Sequence, residues 1–129
     1  MIVLDTCAII WDALDASKLT GKAKNAIKGH EDELIICDIS LWEIAMLIKK
    51  ERLVVNSTAA GFIELLLEAR NFQVQEITAE IAALSVNLEA GISNDPADRL
   101  IAATSILLNA PVISADQRFR KASVVETIW

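Results

Sequence analysis

Five carboxylates stand where surface patterning alone does not account for them. Asp5 closes the apolar run Ile2-Val3-Leu4, and Asp116 is separated from the apolar run at Pro111-Val112-Ile113 only by Ser114-Ala115. Glu43 lies inside Leu41-Trp42-Glu43-Ile44-Ala45-Met46-Leu47-Ile48, where helical spacing makes Met46 and Leu47 its neighbours. Asp98 falls on the border of a stripe made by Ala97, Leu100, Ile101, Thr104, Leu107 and Leu108. Asp95, three residues earlier, is better explained as the N-cap of that helix, and ranks below the other four. Each position has a plainer explanation: Asp is common in turns and caps, and Glu43 three residues after Ser40 could complete a capping box. A carboxylate on an apolar face must nevertheless be paired, protonated or metal-bound, because stripping it of water is costly.

Four acids of this kind, Asp5, Glu43, Asp98 and Asp116, suit a hard, oxygen-rich site for Mg²⁺ or Mn²⁺. Zinc chemistry is disfavoured, since His30 is the single histidine, and Cys7 and Cys37 have neither CxxC spacing nor a His partner. We expect both cysteines to be buried thiols in a reducing cytoplasm. One histidine also excludes the paired-imidazole chemistry of some metal-free ribonucleases. No GxxxxGK[ST] or GxGxxG segment is present, which removes the common phosphate-loop readings.

The elements that must position these acids alternate along the chain. Ile2–Leu4 reads as a buried strand running into a helix over 8–14, followed by a second helix over 18–28 with a basic outer face to which we assign no function. Glu33–Cys37 is a second strand, Ser40 the expected cap of a helix over 41–51, and Ser57 or Thr58 the start of a helix reaching Arg70. Gln73–Ile77 is a third strand, Thr78 caps a helix to about Ala90, and Asp95-Pro96 opens a helix to Leu108. Pro111–Ser114 and Val124–Ile128 complete the set. Strands separated by helices favour parallel crossovers, so the expected fold is a three-layer α/β/α sandwich with a mainly parallel sheet. Ligands in such sheets bind beyond the strand C-termini, where Asp5 and Asp116 both lie.

With 129 residues, 53% of them apolar, one domain spanning 1–129 with a substantial core is expected. A net charge of −6 excludes binding of nucleic acid by bulk positive charge, but not a nuclease whose acids are neutralised by divalent ions. No basic leader or apolar stretch of spanning length is present, so a cytoplasmic protein without membrane association is expected.

Taken in order, Ile2-Val3-Leu4-Asp5-Thr6, Ser40-Leu41-Trp42-Glu43-Ile44, Asp95-Pro96-Ala97-Asp98-Arg99-Leu100-Ile101-Ala102-Ala103-Thr104 and Val112-Ile113-Ser114-Ala115-Asp116-Gln117-Arg118-Phe119 resemble the PIN-domain nucleases, and within them the VapC-type toxins. The resemblance implies that Asp5, Glu43, Asp98 and Asp116 form an acidic metal site with Thr6 and Ser114 as hydroxyl helpers. It further implies endonucleolytic cleavage of RNA, a homodimer and a cognate antitoxin. Where many relatives carry a histidine before the segment beginning at Asp95, this chain has Ser93-Asn94.

Asp5 and Asp98 are the first-choice ligands, and Arg99, Arg118, Arg120 and Lys121 are candidates for holding RNA phosphates, although exposed cations are often only solvated. Phosphatases of the haloacid-dehalogenase kind need a second Asp two residues after the first, where this chain has Cys7. A phospho-receiver needs an acceptor Asp after its third strand, where this chain has Glu76-Ile77-Thr78. The remaining alternative is a PIN-like fold serving as a binding or scaffold module without catalysis. Helices over 58–70 and 78–90 are apolar around much of their circumference, and Phe62, Ile63, Leu65, Leu66, Leu67 or Val86 is expected against a second chain.

Overall fold

A computed structural model describes all 129 residues. Its centre is a five-stranded, wholly parallel sheet in the order β3-β2-β1-β4-β5, formed by Gln73–Gln75 (β3), Leu34–Cys37 (β2), Ile2–Leu4 (β1), Val112–Ile113 (β4) and Thr127–Ile128 (β5). The helices between them are α1 (Thr6–Leu14), α2 (Gly21–Gly29), α3 (Asp38–Lys49), α4 (Ala59–Ala69), α5 (Ala79–Asn87), α6 (Pro96–Leu108) and α7 (Gln117–Lys121).

Alternation along the strands explains the three layers. Ile2 and Leu4 of β1, Leu34 and Ile36 of β2 and Ile113 of β4 point to one face, where they pack with Ile9, Ala23, Ile27, Ile44 and Phe62 from α1 to α4. Val3, Ile35, Cys37 and Val112 point to the other, against Ile101 and Ala102 of α6 and Phe119 of α7. Both faces are covered, so the strands read as unbroken apolar runs.

Several boundaries differ from the sequence expectation. α3 begins at Asp38, directly after β2, with Cys37 as its cap residue. Ser40 therefore lies within the first turn rather than capping it, and the capping-box role for Glu43 is gone. The cause is that β2 enters the helix with no loop, and Asp38 supplies the negative charge favoured in a first turn. α1 starts two residues early, at Thr6, because Asp5 itself caps it. Residues 16–18 form a separate 3₁₀ turn, so α2 begins only at Gly21, capped by Thr20. β3, β4 and β5 are shorter than their apolar patterns.

Of the apolar surplus on α4, Phe62 and Leu66 are core, and Ile63 and Leu67 pack against it partly buried. Only Leu65 faces outward, with Val86 of α5 similarly exposed.

Arg99 is a structural residue. Its guanidinium donates to the carbonyls of Ser85 (2.8 Å), Leu88, Glu89 (3.3 Å) and Ser93 (2.9 Å), closing the end of α5 and binding it to the loop that leads into α6. A phosphate-holding role is therefore replaced by one that fixes where α6 begins. Replacing Arg99 with Met should lower the unfolding free energy by about 2–3 kcal/mol, since several carbonyls lose a charged donor together. Urea denaturation checks this, and a cost within experimental error would contradict it.

Candidate active site

The strand order turns at β1: the chain proceeds from β1 to β2 and β3 on one side, then crosses to β4 and β5 on the other. The crevice beyond the C-terminal ends of β1 and β4 is the place where such sheets bind ligands. Asp5 follows β1 there, and Asp116 follows β4. Glu43 reaches the same crevice from α3 and Asp98 from the first turn of α6. All four, with Asp95, line one open cleft of about 600 Å³.

Each acid is held by a local device. Asp5 is the N-cap of α1, its Oδ1 accepting from the Ala8 N–H at 2.8 Å. It is only 8% exposed, and burial pushes its carboxyl up to about 6 despite bonding to Ser114 and Ala8; Asp98 and Asp116 raise it further. Glu43 accepts at Oε1 from the Thr6 hydroxyl, which also bonds the buried Ser40 hydroxyl at 3.0 Å. Burial raises Glu43 above the ordinary glutamate range, with Asp95, Asp98 and Asp5 adding repulsion. Burial likewise raises Asp98, which accepts from Ser93 Oγ at 2.9 Å. Asp116 alone moves the opposite way, held below the usual range by Arg118.

Arg118 is the cationic member of the site. Its Nη2 donates to Asp116 Oδ2 at 2.8 Å and to Asp98 Oδ2 at 3.4 Å, and its Nε to Asp116 Oδ1 at 3.2 Å. It thus lies between two of the acids expected to hold a metal. Arg120 and Lys121 stay exposed on α7. Asp95 caps α6 through Ala97 N at 2.9 Å, as its sequence position indicated, while also lining the cleft.

Three residues escaped the sequence reading. Ser93, there only the replacement for a histidine, bonds both Asp98 and the Asp95 N–H, so it ties the two acids of α6 together. Its spacing, two residues before one Asp and five before the other, is the signal that could have revealed it. Ser40 supports Thr6 rather than a helix end. Cys7 is exposed to the cleft, not buried like Cys37. Its position at the second residue of α1 turns it outward beside Asp5. Partial desolvation of its sulfur, followed by the neighbouring carboxylates, raises its thiol to about 11, so it stays protonated near neutrality.

The family profile of the PIN domain matches residues 2–125. The chain belongs to the PIN domain family. It is 33% identical over 119 residues to Ribonuclease VapC22 of Mycobacterium tuberculosis, covering 92% of this chain and 89% of that protein. Its fold resembles a toxin–antitoxin complex from Klebsiella pneumoniae, with TM-score 0.68 and 22% identity over 97% of this chain and 95% of that one. It also resembles VapBC2 from Rickettsia felis bound to a DNA fragment from their promoter, with TM-score 0.72 and 17% identity over 98% and 97% of the two chains.

An all-oxygen donor set fits a hard divalent cation. No three of the carboxylates close on a single point in this arrangement. Mg²⁺ does not require three, because it keeps several waters and is held by one or two carboxylates. No helix is long and apolar enough to cross a membrane.

The raised carboxyl of Asp5 has a consequence for stability. A group whose folded pKa is about 6 against an ordinary 3.8 favours folding fully only below 3.8, and that contribution is lost as pH rises through 6. Asp5→Asn removes the charge but keeps a capping oxygen. In EDTA at pH 7 the variant should therefore be more stable than the native chain by on the order of 2–3 kcal/mol. The difference should shrink as pH falls below about 6. Denaturant titrations across this range decide it, and a pH-independent difference would contradict the assignment.

Proposed function

We propose that residues 1–129 act as one nuclease domain, a Mg²⁺- or Mn²⁺-dependent endoribonuclease that hydrolyses RNA phosphodiester bonds and serves as the toxin of a cytoplasmic toxin–antitoxin pair. The observation carrying this reading is that Asp5, Glu43, Asp98 and Asp116, drawn from four separate segments, line one open cleft at the point where the strand order turns. The ribonuclease name of the 33%-identical relative supports it, as do structural neighbours that are complexes with antitoxins.

Asp5 and Asp98 are the residues best placed to hold an ion, each with one oxygen fixed by a protein donor. A divalent ion there supplies positive charge to the phosphate and lowers the pKa of water. Asp116 would complete the cluster beside Arg118. Glu43 has Oε1 committed to Thr6, leaving Oε2 to accept a proton from the attacking water. Burial raises its carboxyl above the ordinary glutamate range, which makes it a better proton acceptor than a solvated glutamate. The four acids are all present, so no observation favours the silent-scaffold alternative.

The antitoxin expected from this reading would act most simply by placing an arginine in the acidic cleft, whose planar fork bridges carboxylates. Arg118 already occupies that kind of position from within the chain.

Cleavage of RNA should require Mg²⁺ or Mn²⁺, and Asp5→Asn or Asp98→Asn should abolish it in a folded protein. Asp95→Ala should instead retain turnover and cost roughly 1 kcal/mol of stability, as loss of an N-cap does. Gel-based cleavage assays with circular dichroism separate these outcomes; activity persisting in excess EDTA would sink the metal mechanism.

The homodimer also belongs to this reading, with Leu65 (63% exposed) on α4 and Val86 (75% exposed) on α5 among the exposed apolar side chains that a second chain would cover. Light scattering should give a dimer mass at micromolar concentration, and Leu65→Glu or Val86→Glu should shift it toward the monomer.

A further inference from the structure

The cleft continues past the acids. Along α3 and its C-cap, Glu43, Met46, Leu47 and Lys50 recur at helical spacing and all line it, with Trp42 at its side and Arg52 just beyond. The composition of the wall thus changes from carboxylate through apolar to cationic within about 10 Å, the rise of seven helical residues. Trp42 is 60% exposed, whereas Trp11 across the cleft packs its ring against Trp129 at 5.7 Å. A large open aromatic surface adjacent in sequence to a site acid is not explained by the core, which Trp42 does not join.

We propose that this half of the cleft is a track for single-stranded RNA flanking the cleaved bond, with a base stacked on Trp42 and a neighbouring phosphate held by Lys50 and Arg52. The inference rests on the ribonuclease reading and extends it to the form of RNA recognised.

Charge argues for this occupant. The chain carries −6 overall, and its acids repel a polyanion, so local cations must hold the strand. Three cations line the cleft, and Arg118 is already engaged by Asp116 and Asp98. Lys50 and Arg52 form no ion pair and stand at the end away from the acids. A basic peptide would be drawn to the acidic end and repelled here. A nucleic acid strand offers what both parts fit: phosphates for the cations and a flat π face for the indole. The base must be unstacked from its own neighbours to reach Trp42, which selects single strands over duplex.

The test uses the full chain with Asp98→Asn added to suppress cleavage, and a fluorescein-labelled unstructured RNA dodecamer in Mg²⁺. Trp42→Ala should weaken binding by about 5- to 150-fold, the range expected for one lost base stack, while Trp42→Phe should retain most of it. RNA should quench tryptophan emission in the parent, and that quenching should be smaller in Trp42→Phe, where only Trp11 remains on the cleft. Lys50→Gln with Arg52→Gln should weaken binding and flatten the salt dependence by about one phosphate contact or more. The same strand annealed to its complement should bind more weakly and without quenching.

Unchanged RNA affinity in folded Trp42→Ala overturns the proposal, and if the antitoxin then binds more weakly to that variant, the face belongs to the protein partner. If Trp42→Ala and Trp42→Phe weaken RNA equally, stacking is wrong. Should the native chain neither cleave nor bind any RNA while still binding Mn²⁺, the ribonuclease reading fails first and takes this inference with it.

Discussion

The burial of several carboxylates side by side is the constraint on which this structure turns. Asp5, Glu43, Asp95, Asp98 and Asp116 share one cleft, and three of them have carboxyls raised above their ordinary range, chiefly by burial. Such a cluster opposes folding, so the surrounding chain must hold it in place. The devices are local and individually small: the N-cap bond from Ala8 to Asp5, the Thr6 hydroxyl on Glu43, Ser93 on Asp98 and the Arg118 fork on Asp116. The larger contribution comes from the apolar layers on either side of a sheet whose central strands are almost fully buried.

Arg118 is the counter-charge within the cluster. Its guanidinium lies against Asp98 and Asp116 and offsets part of their charge. It is exposed, sits on a five-residue helix and bonds carboxylates. Arg99, one residue after Asp98, is tied instead to four backbone carbonyls. Two arginines flanking the cluster thus divide between stabilising its frame and neutralising its contents.

The gradient along α3 links the site to its surroundings. One helix supplies Glu43 to the acids and Met46 and Leu47 to an apolar middle, and its C-cap Lys50 marks the far end. Because α3 starts directly at the end of β2, its orientation is set by the sheet and not by a loop. The position of Glu43 is therefore as firmly determined as that of Asp5, although the two lie far apart in the chain.

The strand–helix alternation, the all-oxygen donor set and the absence of phosphate loops were legible without coordinates, because they depend on periodicity and residue type. So were Asp5 and Asp116 as strand-end residues, Asp95 as a cap and Asp98 as half-buried. Contacts between distant segments were not. Thr6 and Ser40 bond each other across 34 residues, and no local pattern distinguishes that role for Ser40 from a helix cap. Arg99 and Arg118 look alike in sequence, each one or two residues after an acid, and only the fold sends one to carbonyls and the other to carboxylates. Cys7 looked buried because its neighbours are apolar, but the start of α1 at Thr6 turns it toward the cleft. The apolar excess on α4 shrank for the same reason, since how much of a helix the core absorbs depends on which elements pack around it. Sequence alone determines which groups can do chemistry and the order in which they arrive; their partners and their exposure follow from long-range packing, which joins residues that have no proximity along the chain.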